Sequence, residues 1–196
     1  MADAVRRLVA ITVDNDAGAA ATAAAAEKLH ALADELDSLV QDPQPPKHVG
    51  NEPSDDANPH DHFQFDVVLG LYNPLALPVE MAWDPPMARG HAHFTSPYEG
   101  PPGCVHGAII AAAFDQVFNV ANIKSAIAGP TAYLHVDYRR PTLLRRDLTF
   151  EGWVEKVDGR KVTCRGRIVQ AGNVTCEAEG LFIRVARDEI TRLAHS

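Results

Sequence analysis

Two kinds of hydrophobic periodicity divide the chain into a leading helix and a mixed domain. Residues 17–40 begin alanine-rich and continue with leucines spaced three and four apart, a pattern that predicts an amphipathic helix. The leucines are Leu29, Leu32, Leu36 and Leu39. Asp16 is a candidate N-cap for this helix. Residues 41–62 are rich in proline, acidic and amide side chains and offer little to bury, which predicts a linker.

From residue 63 onward the apolar segments become short. Segments at 67–71 and 79–83 precede an expected strand at 88–95, and residues 107–123 are small or apolar at nearly every helical angle, which is typical of a buried helix. Four further stretches alternate with the period of two that a half-buried strand shows. They are 131–139, 148–157, 161–170 and 174–185.

Turn-forming residues separate the last three of these strands. Asp158-Gly159 and Ala171-Gly172-Asn173 are suited to tight hairpins, so the four strands are expected to form an antiparallel meander. One buried helix among such strands is most simply packed by curling the sheet around it, which predicts an α+β fold. We divide the chain into residues 1–62 (helix and linker), 63–187 (sheet domain) and 188–196 (tail).

Composition narrows the possible functions. The 196 residues carry 18 basic and 26 acidic groups and a net charge of −8, which disfavours a generally basic nucleic-acid binder and excludes a collagen or a disulfide-rich miniprotein. The three cysteines form neither a metal-binding pattern nor a disulfide framework, so we expect reduced thiols. A small-molecule partner is the better expectation.

Apolar runs are too short for a bilayer span of roughly 20 residues. The segment after Arg6 and Arg7 is ended by Asp14 before it reaches the length of a signal-peptide core. The sequence therefore predicts a protein without membrane insertion, located in the cytoplasm.

Asp115 is the single ionisable residue between Gly107 and Asn122 in the predicted buried helix. A carboxylate in such a place is expected to be hydrogen-bonded or to have a raised pKa. Both conditions suit a general base or nucleophile, and a polar gap or a subunit interface is the structural alternative.

The start of the same helix is a second candidate. His106-Gly107-Ala108 follows a glycine- and proline-rich turn and presents backbone N–H groups at the positive end of the helix dipole. Gly107 would allow a ligand to approach the backbone closely, so these donors could stabilise an oxyanion. The alternative is an ordinary helix start.

These two candidates are too far apart to act on one small group. Eight residues separate Gly107 from Asp115, or about 12 Å along the helix axis. A twofold dimer with antiparallel central helices would bring Asp115 of one subunit to Gly107 of the other. We therefore expect two composite sites in each dimer.

Charge and histidine placement add two weaker signals. Residues 1–138 carry 6 basic and 18 acidic groups, whereas residues 139–167 carry 9 basic and 4 acidic groups. Basic side chains near strand ends in the second segment could meet phosphates or form a solvated rim; they are Arg139, Arg140, Arg145, Arg146, Arg160 and Lys161. The pairs His60/His62 and His91/His93 could each share a strand face, but no further ligand completes a set, so we assign no metal site.

The order of motifs from Tyr98 to Pro141 resembles a known family. The motifs are Tyr98-Glu99-Gly100-Pro101-Pro102-Gly103-Cys104-Val105-His106-Gly107-Ala108, then Ala112-Ala113-Phe114-Asp115, then Gly129-Pro130-Thr131-Ala132-Tyr133-Leu134-His135-Val136-Asp137-Tyr138-Arg139-Arg140-Pro141. They resemble the hotdog-fold acyl-CoA thioesterases of the PaaI type, and the resemblance extends over roughly residues 70 to 185. It implies a long central helix wrapped by a curved antiparallel sheet, and a homodimer or dimer of dimers with a thioester site between subunits.

The resemblance also implies residue roles. Asp115 takes the position of the family's carboxylate, Gly107 supplies the N–H to the thioester oxygen, His106 supports the turn, and Thr131 orients the carboxylate or water. Ala108 stands beside the oxyanion site where the family usually has a second glycine, which adds a methyl group there. Basic residues would hold the phosphates of coenzyme A; these are Arg139 and Arg140, with Arg160 and Lys161. No cofactor is implied.

Three functions remain open at this level. The first is hydrolysis of acyl-CoA thioesters, with the preferred acyl group undetermined. The second is an acyl-CoA or lipid-binding protein that has lost turnover, for which Ala108 is the main argument, and the third is an enoyl-CoA hydratase or dehydratase, whose His-bearing motif we do not find. The N-terminal helix could cover the sheet, extend a dimer interface or gate an acyl tunnel.

Overall fold

A computed structural model describes residues 1–42, 58–125 and 129–185. In these ranges an antiparallel sheet of six strands wraps one long helix. The helices are α1 (Ala2–Asp14), α2 (Ala19–Asp37), α3 (Pro59–His62) and α4 (Gly107–Lys124), and a short 3-10 turn spans Ser96–Tyr98. The strands are β1 (Val79–Asp84), β2 (Met87–His93), β3 (Thr131–Tyr138), β4 (Asp147–Asp158), β5 (Lys161–Gln170) and β6 (Asn173–Ile183).

The strand order corrects one expectation. The sheet runs β1-β2-β4-β5-β6-β3, so β4, β5 and β6 form a meander while β3 lies at the edge beside β6. We predicted that all four C-terminal strands pair in sequence, which is wrong for β3, because β4 pairs with β2 instead. Hairpins join neighbouring strands through tight turns, whereas the longer segment 139–146 carries the chain from β3 at one edge to β4.

The predicted buried helix is confirmed, since α4 contacts all six strands. Its aromatic side chains pack against glycines in the middle of the sheet. A methyl group at Gly152 would lie 2.5 Å from Val117, and one at Gly166 or Gly180 would lie 2.8 or 2.9 Å from Phe118. Because these three glycines have no side chain, α4 can pack closely against the sheet. The contact between these glycines and the side chains of α4 forms the centre of the core.

The turns at the hairpins follow the sequence prediction. Gly159 has a φ of +59° in the β4–β5 turn, and Ala171 and Gly172 have φ values of +49° and +76° in the β5–β6 turn. Positive φ at two successive residues suits the right-handed twist of a tight hairpin. The apolar segment 67–71, in contrast, forms turns and no strand.

The N-terminal region contains one predicted and one unpredicted helix. The helix predicted over 17–40 is α2, whereas α1 covers residues that the pattern left unassigned. Neither helix has a buried residue, so α2 does not cover the sheet as one of our alternatives supposed. Arg6 ties α1 to the domain by donating to the carbonyl of Asn73 at 2.9 Å.

The expected linker is described only at its end. Asn58 caps α3 by accepting from the N–H of His60, and Pro59 is buried. Residues 43–57 and the predicted tail 188–196 lie outside the described residues, so the domain division stays a prediction. Within the described ranges, no helix has the length and apolar character needed to cross a membrane, and the expected cytoplasmic location stays a prediction.

Candidate active site

The turn that leads into α4 is held by backbone and side-chain hydrogen bonds. The Glu99 carboxylate accepts from the Gly103 N–H at 2.6 Å, and the His106 N–H donates to the Tyr98 carbonyl at 2.8 Å. Gly100 has no room for a side chain, because a methyl group there would lie 2.8 Å from the His106 Cα. The first residue of α4 is therefore fixed relative to the strand that precedes the turn.

His106 caps the helix through its side chain. Its Nδ1 accepts from the Ala108 N–H at 3.0 Å, which requires that Nδ1 carries no proton. Its carbonyl accepts from Ile109 and Ile110. In the first turn of α4, the Gly107 N–H is then the backbone donor that has no acceptor among the described residues. The sequence predicted several free N–H groups at this end of the helix, and the His106 cap leaves the Gly107 N–H.

Tyr138 supports the same turn from β3. Its Oη donates to the Gly107 carbonyl at 2.8 Å. A methyl group added at Gly107 would lie 3.1 Å from the Tyr138 Oη. Burial of the phenol, with a smaller effect of Cys176, raises the pKa of Tyr138, so the hydroxyl keeps its proton near neutral pH. Gly107 thus lies between the helix cap and a tyrosine hydroxyl.

Asp115 lies two turns further along α4 and is half-buried. Its Oδ1 accepts from Thr131 Oγ1 at 2.7 Å, and its Oδ2 lies 3.4 Å from Asn119 Nδ2. The expected hydrogen-bonded carboxylate is present, and Thr131 is the residue that contacts it. The carboxylate is oriented by these two donors and remains open to solvent on one side.

The two halves of the candidate site lie at opposite ends of β3. Thr131 at the start of the strand contacts Asp115, and Tyr138 at its end contacts Gly107. The strand therefore runs antiparallel to α4 and spans the separation of about 12 Å that the helix rise requires. One chain does not bring the carboxylate and the free N–H together.

The four basic residues predicted to hold the phosphates of coenzyme A fall into two pairs, one at each end of β3. Arg139 and Arg140 follow Tyr138, while Arg160 and Lys161 lie in the β4–β5 hairpin, where Lys161 pairs with Ile183 next to the start of β3. All four are exposed.

Their charges are not equally available. Arg139 forms ion pairs with Glu177 at 2.8 Å and Asp137 at 3.0 Å. Arg140 donates to the Asn173 side chain, and Arg160 donates to the Arg184 carbonyl. The Lys161 side chain has no hydrogen bond or ion pair with the residues that the structure describes. Arg139 shares its charge with two carboxylates, whereas Arg140, Arg160 and Lys161 have no carboxylate partner there.

Ala108 and the histidine pairs complete the list of predicted residues. Ala108 is exposed at the first turn of α4. His91 and His93 share one face of β2, but each contacts a residue of β4, Thr149 at 3.2 Å and Asp147 at 2.8 Å. His60 lies in a helix and bridges the Leu69 carbonyl and the Met81 N–H. No group of three metal-ligating side chains occurs in the ranges that the structure covers.

Two contacts at the site were missed at the level of sequence. Asn119 lies one turn after Asp115 on the same helix face, and this spacing of four residues could have indicated it. Tyr138 shares a strand face with Leu134 and Val136, but its contact with Gly107 depends on the packing of β3 against α4. A groove of about 1150 Å³ lined by residues such as Arg6, His91 and Asp147 contains none of the residues predicted for catalysis or for coenzyme A binding.

Known proteins are similar to this chain in sequence and in fold. A family model described as the thioesterase superfamily matches residues 102–177. A solved structure of a thioesterase superfamily protein is 37% identical, covers 93% of this chain and 92% of its own, and superposes with a TM-score of 0.78. The E. coli PaaI protein shares the fold at 18% identity, with a TM-score of 0.52 over 56% of this chain and 81% of that one.

Among curated proteins, the acyl-coenzyme A thioesterase THEM4 of Xenopus laevis is 37% identical over 92 residues. That match spans 45% of this chain and 41% of the length of the relative. A curved antiparallel sheet around one long helix defines the hotdog class of α+β proteins. The chain belongs to the thioesterase superfamily.

Proposed function

We propose that this protein hydrolyses acyl-CoA thioesters at two sites formed between the subunits of a homodimer. The observation that carries the proposal is the placement of the two halves of the site: a hydrogen-bonded carboxylate at one end of β3 and an unpaired helix N-terminal N–H at the other. The match to acyl-coenzyme A thioesterases named THEM4 supports the substrate class.

The edge strand supports the mode of assembly. β3 pairs with β6 on one side only, and most of its residues are exposed. The face of α4 that runs from Gly107 to Asp115 carries small side chains that are exposed or half-exposed; they are Ala108, Ala111 and Ala112. An edge strand of this kind can pair with a second copy of itself, and small side chains allow a second helix to approach closely.

Antiparallel pairing of β3 with its copy would join the two halves of the site. The start of one β3 would lie beside the end of the other, so Asp115 and Thr131 of one subunit would face Gly107 and Tyr138 of the partner subunit. The same pairing would bring Arg160 and Lys161 of one subunit to the end where Arg140 of the partner subunit lies. These cations would then hold the phosphates of coenzyme A.

The chemistry follows from the two groups. Asp115 accepts a proton from a water molecule whose oxygen attacks the thioester carbonyl carbon, or attacks that carbon directly and is released by water in a second step. The carbonyl oxygen gains negative charge and accepts from the Gly107 N–H of the partner subunit. The carbon–sulfur bond breaks, the carboxylic acid is released, and the coenzyme A thiolate takes up a proton.

The first experiment is a thiol-release assay over acyl-CoAs from acetyl through aromatic to long-chain, comparing the wild type with Asp115→Asn. We expect turnover to fall by about 10²–10⁴ in the variant, because the carboxylate can no longer accept a proton. Unchanged turnover would refute the role of Asp115. Binding of acyl-CoA by the wild type without any turnover would instead favour the binding protein, and Ala108→Gly would be tested for a gain of activity.

A complementation experiment tests whether the site is shared. Gly107→Pro removes the N–H at a helix position that tolerates proline, and Gly107→Ala is the matched control that keeps the N–H with a similar steric contact. Asp115→Asn and Gly107→Pro should each be inactive, but refolded together they form mixed dimers with one intact site. We expect recovery of about a quarter of wild-type activity, since half of the dimers are mixed. No recovery would place both groups of one site in the same subunit.

A further inference from the structure

Helix α2 exposes an apolar stripe that nothing in the described part of the chain covers. Its leucines are 41% (Leu29), 48% (Leu32) and 37% (Leu36) exposed, and Leu39 just beyond its end is 74% exposed. No residue of this 19-residue helix is buried. Leucines exposed in a row on one helix face are unusual in a protein with a complete core, and they indicate a binding surface.

The stripe has the spacing of a coiled coil. Leu29, Leu32, Leu36 and Leu39 follow the alternating steps of three and four that define the a and d positions of a heptad. Extended toward the N-terminus, the same positions hold Thr22 and Ala25, so the first half of the helix presents small side chains. Such a pattern favours packing against another helix over packing against a sheet.

The flanking charges distinguish between possible partners. Lys28 and Glu35 occupy the two g positions beside this stripe, and the e positions hold Ala26 and Ala33. In a parallel pair of identical helices, g residues face e residues, so neither charge would meet a partner. In an antiparallel pair, g residues face g residues, and Lys28 of each copy would lie beside Glu35 of the other.

We propose that α2 binds α2 of a second copy of this chain as an antiparallel coiled-coil pair. Leu29 then packs against Leu32 of the partner subunit, and Leu36 packs against Ala25 of the partner subunit, on both sides of a twofold axis. Two symmetric ion pairs between Lys28 and Glu35 flank these layers. Neither side chain has an ion pair with the residues described in its own chain, so both are available.

This interface is separate from the composite site proposed above, and the inference does not depend on it. Residues of α2 lie outside the α4 and β3 surfaces that form the site, so α2 pairing can join two dimers or reinforce one. The charges are complementary between two copies of α2 only in the antiparallel orientation. Reversing one charge, and then both, therefore distinguishes this pairing from a different partner bound to the same leucine stripe.

The test measures the association of the full chain by sedimentation at low salt. We expect Leu32→Asp to abolish the joining of two dimers where α2 pairing forms that step, and to weaken dimer formation where α2 pairing reinforces it. Lys28→Glu and Glu35→Lys should each weaken the same step by about tenfold, since two attractive pairs become repulsive. The double variant Lys28→Glu/Glu35→Lys should return to within about threefold of the wild type, because the exchanged charges again face opposite charges.

Glu27→Lys is the matched control. It changes the net charge as Glu35→Lys does, but lies on the outer face of the helix, so we expect a change of less than about twofold. An assembly unaffected by Leu32→Asp would overturn the proposal and assign the stripe to the chain's own residues or to a different protein. A double variant weaker than both single variants would overturn the antiparallel pairing.

Discussion

Helices α2 and α4 were both predicted from hydrophobic pattern, yet their surroundings differ completely. α4 is enclosed by six strands, and its phenylalanines fit against glycines of the sheet. α2 has leucines on one face only, and no residue of it is buried. The comparison shows that periodicity reports which face of a helix is apolar, whereas the identity of what covers that face depends on the rest of the chain or on a second chain.

The largest effect is expected in the core beneath α4. Phe118→Ala removes a ring that packs against Phe114 and Phe182 and fills the space left by Gly152, Gly166 and Gly180. The free energy of unfolding should fall by about 3–5 kcal/mol, because lost burial and a cavity add together. Urea unfolding measures this, and a loss below about 1 kcal/mol would show that the sheet closes around the smaller side chain.

A smaller effect is expected on the outer face of the sheet, where Glu151 lies between two arginines. Its carboxylate accepts from Arg167 at 2.7 Å and from Arg89. Burial opposes ionisation of Glu151, but the hydrogen bonds and charges of Arg167 and Arg89 outweigh burial and lower its pKa. Its stabilising contribution is therefore present above the pKa of an unfolded glutamate and is lost as pH falls through the lower pKa of the folded protein.

We expect Glu151→Gln to lower the free energy of unfolding by about 2 kcal/mol near neutral pH, with the difference shrinking as the pH falls below the ordinary pKa of a glutamate. Glu177→Gln is the control, since the Glu177 carboxylate is exposed and its pair with Arg139 is screened by solvent. Unfolding curves at several pH values decide the matter. A difference that stays constant with pH would mean that charge is not the cause.

At the candidate site, Tyr138→Phe removes the hydroxyl that donates to the Gly107 carbonyl. The first turn of α4 would lose one support while keeping its packing, so kcat should fall by about three- to tenfold with little change in KM. Tyr133→Phe is the control, because Tyr133 bonds Glu179 on the other face of β3. Equal kcat values for both variants would remove Tyr138 from the site.

The smallest effect is expected in α2. Leu32→Ala should change the free energy of unfolding by less than about 0.5 kcal/mol when measured at concentrations where the chain is not associated, because the side chain loses no buried contact. The same substitution should weaken association. A large loss of stability in the unassociated chain would mean that the stripe packs within its own subunit.

Much of the fold was predictable because the patterns that specify it are local. Alternation placed β5 at 161–170 and the start of β3 at Thr131, as the structure has them, and the uniform apolar character of 107–123 indicated α4. α1 was missed because Arg6, Arg7 and the apolar run after them resembled a signal peptide that Asp14 cuts short. The apolar pattern of 67–71 does not distinguish a strand from the turns that the structure has there, because a short apolar run looks the same in both.

The candidate site was predictable in part. An aspartate in an apolar helix and a glycine at its start were visible as exceptions to their surroundings, and the resemblance to a family suggested Thr131, which contacts Asp115. The imidazole cap of His106, the Tyr138 contact and the ion pairs of Arg139 could not be foreseen, because each joins residues through side-chain geometry that sequence spacing does not report.

By itself, the sequence determined where α2, α4 and the strands lie and that Gly107 and Asp115 are too far apart to share one reacting group, since helix rise and strand alternation are properties of the local backbone. Only the tertiary structure decided that β3 lies at the edge beside β6, that Thr131 and Tyr138 support opposite halves of the site, and that no residue of α2 is buried. These outcomes depend on contacts between residues distant in sequence, and local periodicity leaves such contacts open.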